Sequence, residues 1–149
     1  MNTPTKIKLF LVDDDALFLK SLQIEFMQSA DPLTIEYSIQ TFPTGELCIS
    51  NLSSNPDIII LDYHLDGITK DAMNGMQTLD KLKAINDKIP VIILSSQDKI
   101  DVAVACMHHK AYDYVVKSET AFLRIQKNIT NILIFNTMKG QLNWYMDRM

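Results

Sequence analysis

The sequence predicts an α/β protein built on a doubly wound, five-stranded parallel sheet with helices on both faces. Five short apolar segments alternate with five segments whose apolar residues recur at helical spacing, and this alternation is typical of parallel sheets covered by helices. Residues 58–61 and 91–94 are continuously aliphatic, as expected of strands buried on both faces. With right-handed crossovers and short connections, we expect the common strand order 2-1-3-4-5.

The first half of the chain supplies three strands and two helices. Residues 7–12 predict the first strand, and Asp15 is placed to cap the helix that follows. The apolar residues of that helix are Phe18, Leu19, Leu22 and Phe26. Asp31-Pro32 breaks the helix, and residues 33–39 alternate with period two, which predicts a half-exposed strand near the sheet edge. After a short helix and a loop that ends at Pro56, residues 57–62 predict the third strand.

The next segment predicts a long exposed loop, two helices and the fourth strand. The loop spans residues 63–75, which contain two glycines and alternate acidic with small residues. The helix after it carries Met76, Leu79 and Leu82 on one stripe. Residues 91–94 form the fourth strand, and Asp98 can cap the helix that follows. The expected apolar face of that helix comprises Ile100, Val102, Ala103, Val104 and Met107.

The chain ends in a fifth strand, at residues 112–116, and a long helix that begins near Ser118. The apolar face of this helix comprises Phe122, Ile125, Ile129 and Ile132. We expect one domain at residues 6–132 and a C-terminal helical extension at residues 133–149. Apolar residues of the extension recur at spacings of three and four, the pattern of a helix–helix seam: Phe135, Met138, Leu142, Tyr145 and Met149. The extension either pairs with a second copy, leads into an output domain, folds back over the domain, or frays.

Composition and charge exclude several classes of function. The chain is 47% hydrophobic and 21% charged, which is ordinary for a globular protein. Its formal charge of −4 and its pI near 5.2 argue against direct nucleic-acid binding. No apolar run approaches the ~20 residues that span a bilayer, and the N-terminus does not resemble a signal peptide. Cys48 and Cys106 form no CxxC pattern, so we expect reduced, packed thiols in a cytoplasmic protein.

Polar groups follow the ends of several predicted strands. Asp13 and Asp14 follow the first strand, Asp62 ends the third, Ser95 ends the fourth and Lys117 follows the fifth. In the order 2-1-3-4-5 the winding direction reverses between the first and third strands, which opens a crevice at their carboxyl ends. Taken singly, Asp62 could cap a turn, Lys117 could be a solvated lysine and Ser95 a turn residue. Their common location at one edge of the sheet favours a site.

The chemistry of these groups points to a metal and a phosphoryl group. Carboxylates gathered in one crevice repel each other unless a cation lies among them. Hard oxygen ligands without a nearby His or Cys cluster favour Mg²⁺, and a magnesium site attracts phosphate. Lys117 would supply a positive charge and Ser95 a neutral donor to phosphoryl oxygens.

This set of residues resembles the response-regulator receiver domain, a CheY-like module with a flavodoxin-like fold, over about residues 6–132. The resemblance implies a signalling switch in which Asp62 accepts a phosphoryl group from a sensor histidine kinase or a phosphotransfer protein. Ser95 and Lys117 would hold the oxygens of the acyl phosphate, and phosphorylation would change the binding of a downstream protein or of an output domain missing from this chain.

The resemblance also implies a metal-ligand set. Asp14 and Asp62 would bind Mg²⁺ directly, together with the main-chain carbonyl of His64, and Asp13 would assist through water. Tyr114 matches the aromatic residue that reorients when the serine moves. The only chemistry expected is self-phosphorylation and self-dephosphorylation, so the chain is not expected to be an enzyme for other substrates. No membrane contact is expected, and a homodimer through the last helix is possible.

Three positions depart from the family pattern. Leu65-Asp66 stands where the family has Met-Pro, the loop that leads to Gly75 is longer than usual, and Ser118 replaces a proline. These departures bear on surface shape and on the choice of partner. Two alternatives remain: a haloacid-dehalogenase-type phosphatase with Asp13 and Asp15 as its acidic motif, which leaves Asp62 unexplained, and a degenerate receiver used only as a docking scaffold.

Overall fold

The computed structural model describes residues 4–29, 34–65 and 71–149. The helix break expected at Asp31-Pro32 and part of the loop expected at residues 63–75 lie outside these ranges. The strands are β1 (Thr5–Val12), β2 (Ile35–Phe42), β3 (Ile58–Asp62), β4 (Val91–Ser95) and β5 (Asp113–Val116). All neighbouring strands are parallel, in the order β2-β1-β3-β4-β5. The predicted fold class and strand order are confirmed.

Within the described ranges, five α-helices connect and cover the strands. They are α1 (Ala16–Ser29), α2 (Gly45–Ser50), α3 (Gly75–Ile85), α4 (Ile100–His108) and α5 (Ala121–Arg148), with a 3₁₀ turn at Leu52–Ser54. The predicted cap of α1 is confirmed, because the Asp15 carboxylate accepts hydrogen bonds from the backbone N–H groups of Leu17 and Phe18. The cap predicted for α4 is wrong. Lys99 occupies the cap position without a side-chain bond, so Asp98 lies one residue too early.

Side chains that alternate along the strands form a core on each face of the sheet. The core under α1 and α5 includes Ile7, Leu9, Leu11, Phe26, Ile58, Ile60, Ile92 and Ile125. The core under α2, α3 and α4 includes Phe10, Cys48, Ile59, Leu61, Leu79, Ile93 and Cys106. Every residue of β3 and β4 is buried, whereas β2 at the edge alternates between half-buried and exposed positions over residues 35–40, as predicted, and ends in the buried Phe42. Both cysteines are unpaired and buried, also as predicted.

The apolar face predicted for α4 is wrong in part. Val102, Ala103 and the buried Cys106 pack against the sheet, and these positions share one side of the helix. Ile100, Val104 and Met107 lie on the opposite side; Ile100 is 81% exposed, and the other two are 48% exposed. The apolar residues of this short helix therefore lie on two faces. Sequence spacing alone did not separate these two faces, so they were predicted as one.

Helix α5 is continuous over 28 residues. Its buried side chains are Ala121, Ile125, Asn128, Ile129 and Ile132. Every residue from 134 to 149 is exposed, so the alternative in which the extension folds back over its own domain is wrong. None of the helices in the described ranges is long and apolar enough to cross a membrane.

Candidate functional site

The site is centred on Asp62, the last residue of the buried strand β3. Its side chain lies at the carboxyl edge of the sheet and is only 3% exposed. Burial and then the neighbouring charge of Asp13 raise the pKa of Asp62 to about 7, although Lys117 and the backbone N–H of His64 partly oppose this. Asp62 is therefore a carboxylate whose charge needs cationic or hydrogen-bonding neighbours.

Two further carboxylates lie beside Asp62, as the sequence predicted. One oxygen each of Asp13, Asp14 and Asp62 falls within 4.8 Å of the others. Asp13 is buried and Asp14 half-buried. The backbone N–H of Asp15 donates to the Asp13 carboxylate at 2.9 Å, which fixes that side chain in the turn after β1. The compact set of hard oxygen donors fits Mg²⁺ or a similar cation.

Lys117 reaches the acidic cluster from the end of β5. Its ammonium lies 2.8 Å from an oxygen of Asp13 and 3.4 Å from an oxygen of Asp62. Burial alone would lower the pKa of Lys117, but the hydrogen bond and charge of Asp13 and the charge of Asp62 outweigh it, so the pKa is raised. The side chain therefore stays cationic beside the two acids.

Phe18 is a site residue that sequence reasoning missed. The Lys117 ammonium lies 4.3 Å from the centroid of the Phe18 ring, within the range of a cation–π interaction. Its spacing along the sequence predicts only that Phe18 belongs to the apolar stripe of α1. Its ring does pack on the core, but its position one turn into α1 also brings it to the edge of the sheet where the acids lie. Only the direction of the side chain reveals this second contact.

Ser95 and Tyr114 are linked through one peptide segment. Ser95 is fully buried, and its hydroxyl accepts a hydrogen bond from the Gln97 N–H at 3.1 Å. The Tyr114 hydroxyl donates to the Gln97 carbonyl at 2.6 Å. Tyr114 is 7% exposed, and burial raises the pKa of its hydroxyl. Tyr114 thus already lies inside the fold, and its reorientation on phosphorylation stays a prediction.

The segment after Asp62 packs closely against the start of α3. A Cβ on Gly75 would meet the Tyr63 Cα at 2.5 Å and the Asp62 carbonyl oxygen at 2.6 Å, and the Gly75 N–H donates to the Tyr63 carbonyl at 2.9 Å. His64 is half-buried beside this turn; the role of its carbonyl as a metal ligand stays a prediction. No peptide bond in the described ranges is cis, so Lys117–Ser118 is trans.

The fold and this cluster agree with the family to which the chain belongs. Residues 9–129 match the response regulator receiver domain, and the chain is therefore a member of the receiver domain family. The resemblance predicted from the sequence is confirmed. The phosphatase alternative is wrong, because it requires a different family.

Several curated proteins resemble this chain. It is 32% identical over 120 residues to a protein-glutamate methylesterase/protein-glutamine glutaminase from Clostridium acetobutylicum, with 78% of this chain and 32% of the relative covered. It is 29% identical over 114 residues to the transcriptional regulatory protein PrrA of Mycobacterium bovis, with 76% and 44% covered. The chain thus spans less than half the length of these relatives.

Solved structures share the fold at low sequence identity. The NtrX structure from Brucella abortus superposes with a TM-score of 0.77 at 19% identity, covering 97% of this chain and 31% of NtrX. The receiver domain of a LuxO repressor protein from Vibrio parahaemolyticus gives 0.71 at 22% identity, covering 93% and 98%. The Mn²⁺-bound form of response regulator Rcp1 gives 0.66 at 22% identity, covering 81% and 90%.

Proposed function

We propose that this receiver domain is a phospho-accepting switch that takes a phosphoryl group onto Asp62 from a sensor histidine kinase or a phosphotransfer protein. The observation that carries the proposal is the position of the Asp62 carboxylate. It is buried at the carboxyl edge of the sheet, within 4.8 Å of oxygens of Asp13 and Asp14, and 3.4 Å from the Lys117 ammonium. Few structural roles would justify clustering three acids of which Asp13 and Asp62 are buried.

The three acids would hold Mg²⁺. Asp14 and Asp62 would be direct ligands with the His64 carbonyl, and Asp13 would act through water because its two oxygens already accept bonds from Lys117 and from the Asp15 N–H. When bound, the ion would offset the negative charge of the carboxylates and of the incoming phosphoryl group. The structural neighbour Rcp1 was solved in a Mn²⁺-bound form, so a protein with this fold binds a divalent cation.

The reaction needs Asp62 in its deprotonated form. One carboxylate oxygen would form a bond to phosphorus while the bond from phosphorus to the donor atom breaks, and the donor leaves with that electron pair. Lys117 and the Ser95 hydroxyl would bind oxygens of the resulting acyl phosphate. Attack by water would later return the carboxylate and inorganic phosphate. No turnover of another substrate is expected from these groups.

The peptide of Gln97 provides a path from the phosphoryl group to the surface. The Ser95 hydroxyl now accepts from the Gln97 N–H, and Tyr114 donates to the Gln97 carbonyl. If the Ser95 hydroxyl turned to donate to a phosphoryl oxygen, its bond from Gln97 would be strained or lost. The segment that leads into α4 would then shift together with Tyr114, and a coupling of ~1–3 kcal/mol would change partner affinity by 5–150-fold.

The partners follow from this role. The input would be a histidine kinase or a phosphotransfer protein, and the output a downstream protein, an output domain beyond this chain, or a second copy. Residues 6–132 would form the receiver and residues 133–149 a separate helical extension. The protein would work in the cytoplasm, without direct contact to nucleic acid or membrane.

Labelling with acetyl phosphate separates the remaining possibilities. The purified chain should gain one phosphoryl group in the presence of Mg²⁺ and none when the metal is chelated, as measured by intact-mass spectrometry. Asp14→Ala should raise the Mg²⁺ concentration required. A general phosphatase substrate should not be turned over. A chain that takes no label with Mg²⁺ present would be a docking scaffold, and the proposal would be wrong.

A further inference from the structure

The end of α5 carries an apolar stripe that its own domain does not cover. Ile132 is the last buried side chain of the helix, yet the helix continues to Arg148, which extends it by about 24 Å at 1.5 Å per residue. Within this segment, the residues spaced three and four apart form what we call the C-terminal seam: Phe135, Met138, Leu142, Tyr145 and Met149. Each seam side chain is more than half exposed.

The seam lies on a different side of α5 from the residues that pack on the domain. With ~100° between successive residues, the seam is rotated by roughly a third of a turn from the face that contains Ile125, Ile129 and Ile132. That face remains buried in the receiver core. The seam is therefore available while the receiver stays fully folded.

We propose that the C-terminal seam pairs with the same seam of a second copy to form a two-helix coiled coil. The alternation of three and four places its residues at heptad positions a and d, where each side chain fits between side chains of an identical partner. The charged residues of the extension, Lys139, Asp147 and Arg148, fall at positions e, f and g. Pairing therefore buries no charge at the centre of the seam.

The expected interface is small. Aromatic side chains bury about 150–250 Å² each when fully covered, so five partly exposed seam residues on two copies would bury on the order of 1,000 Å² in total. This area is at the lower bound for a specific interface. Gly140 further weakens the isolated helix, by ~1 kcal/mol relative to alanine. We therefore expect a monomer in dilute solution and a dimer in concentrated solution.

Trp144 gives a matched control on the same helix, outside the seam, although its ring contacts the edge of the seam residue Tyr145, with 5.0 Å between the ring centroids. The Arg148 guanidinium lies 3.7 Å from the centroid of the Trp144 ring, one turn away, so this side chain already has a partner within its own helix. Trp144 occupies heptad position c, outside the seam. Glutamate at position 144 adds one negative charge to the extension, as glutamate at position 142 does. In the proposed coiled coil, however, position 144 stays exposed to solvent, whereas position 142 is buried in the interface.

The test is sedimentation velocity on the full chain over a wide range of concentrations, without Mg²⁺ or phosphodonor, so that the result does not depend on the chemistry of Asp62. The wild-type chain and Trp144→Glu should dimerise with similar dissociation constants. Leu142→Glu should raise the dissociation constant by at least about tenfold, because two unpaired carboxylates would meet inside the interface. Circular dichroism of the dilute variants should show that α5 remains helical.

Three results would overturn the proposal. The first is a wild-type chain that stays monomeric at every concentration, the second a trimer or larger assembly. The third is a reversed order, in which Trp144→Glu abolishes pairing and Leu142→Glu does not. Since the phosphorylation assay is run separately on the wild-type chain, failure of the pairing leaves the proposed function of Asp62 standing, and the converse also holds.

Discussion

Replacing Gly75 with alanine tests whether the backbone packing at the end of β3 supports the site. The added Cβ would lie 2.5 Å from the Tyr63 Cα and 2.6 Å from the carbonyl oxygens of Asp62 and Tyr63, whereas ordinary contacts begin at 3.4 Å. These are backbone atoms, which cannot turn aside as the end of a side chain can. The start of α3 and the segment after Asp62 must therefore separate by about 0.9 Å, the difference between 2.5 Å and 3.4 Å.

The cost of this separation can be estimated. Overpacking a close contact costs about 1–3 kcal/mol, and weakening the hydrogen bond from the Gly75 N–H to the Tyr63 carbonyl adds about 1 kcal/mol. Alanine returns about 0.5–1 kcal/mol by restricting the unfolded chain. We expect Gly75→Ala to lower the unfolding free energy by about 2 kcal/mol in urea titrations. Labelling of Asp62 by acetyl phosphate should also slow, since the shift moves its backbone.

Gly140→Ala is the matched control. A Cβ at Gly140 meets no atom within 4 Å, and the residue lies in the exposed part of α5. The substitution should leave the unfolding free energy of the dilute receiver within about 0.5 kcal/mol of wild type, while increasing the helical circular dichroism signal. If Gly75→Ala behaved like Gly140→Ala in both stability and labelling, the steric reasoning at the Asp62 turn would be refuted.

Three further predictions concern charge. Burial alone would raise the pKa of Asp113, but hydrogen bonds from Arg124 lower it overall. Asp113→Asn should therefore lower the unfolding free energy by about 1 kcal/mol at neutral pH. In urea titrations this difference between the variant and wild type should vanish in strong acid, below the lowered pKa. Phe18→Leu should slow acetyl-phosphate labelling about two- to fivefold by loosening Lys117, with Phe18→Tyr close to wild type; equal rates for Leu and Tyr would contradict this. The pKa of Asp62 is raised to about 7, so protons compete with Mg²⁺ for this carboxylate as the pH drops below neutrality, and the apparent Mg²⁺ affinity should fall by up to about tenfold per pH unit. A Mg²⁺ dissociation constant, measured by calorimetry, that does not change with pH would contradict this prediction.

The fold and the acidic cluster could be predicted because both follow from chain topology. Continuous aliphatic runs identified β3 and β4, and parallel strands bring their carboxyl ends to one edge of the sheet. Asp62 and Lys117 meet the adjacent pair Asp13 and Asp14 there, although the three positions lie far apart in sequence. These side chains needed only the correct strand order to come together, so errors of a residue or two at element ends did not matter.

Other contacts could not be predicted because they depend on side-chain direction. Spacing in α4 did not distinguish the face that holds Cys106 from the opposite face with Ile100, since both fit helical periodicity. The Phe18 ring satisfies the core pattern of α1, so nothing in the pattern indicated its contact with Lys117. The Gln97 peptide contacts Ser95 and Tyr114 through its backbone N–H and carbonyl, which carry no residue-specific pattern.

The most direct test of the central claim is intact-mass analysis of three chains incubated with acetyl phosphate and Mg²⁺: wild type, Asp62→Asn and Asp98→Asn. Asp98 is an exposed acid in the segment before α4, and its replacement controls for the loss of one carboxylate near the site. Wild type and Asp98→Asn should each gain the mass of one phosphoryl group, and Asp62→Asn should gain none. Full labelling of Asp62→Asn would contradict the assignment of Asp62 as the phosphoacceptor.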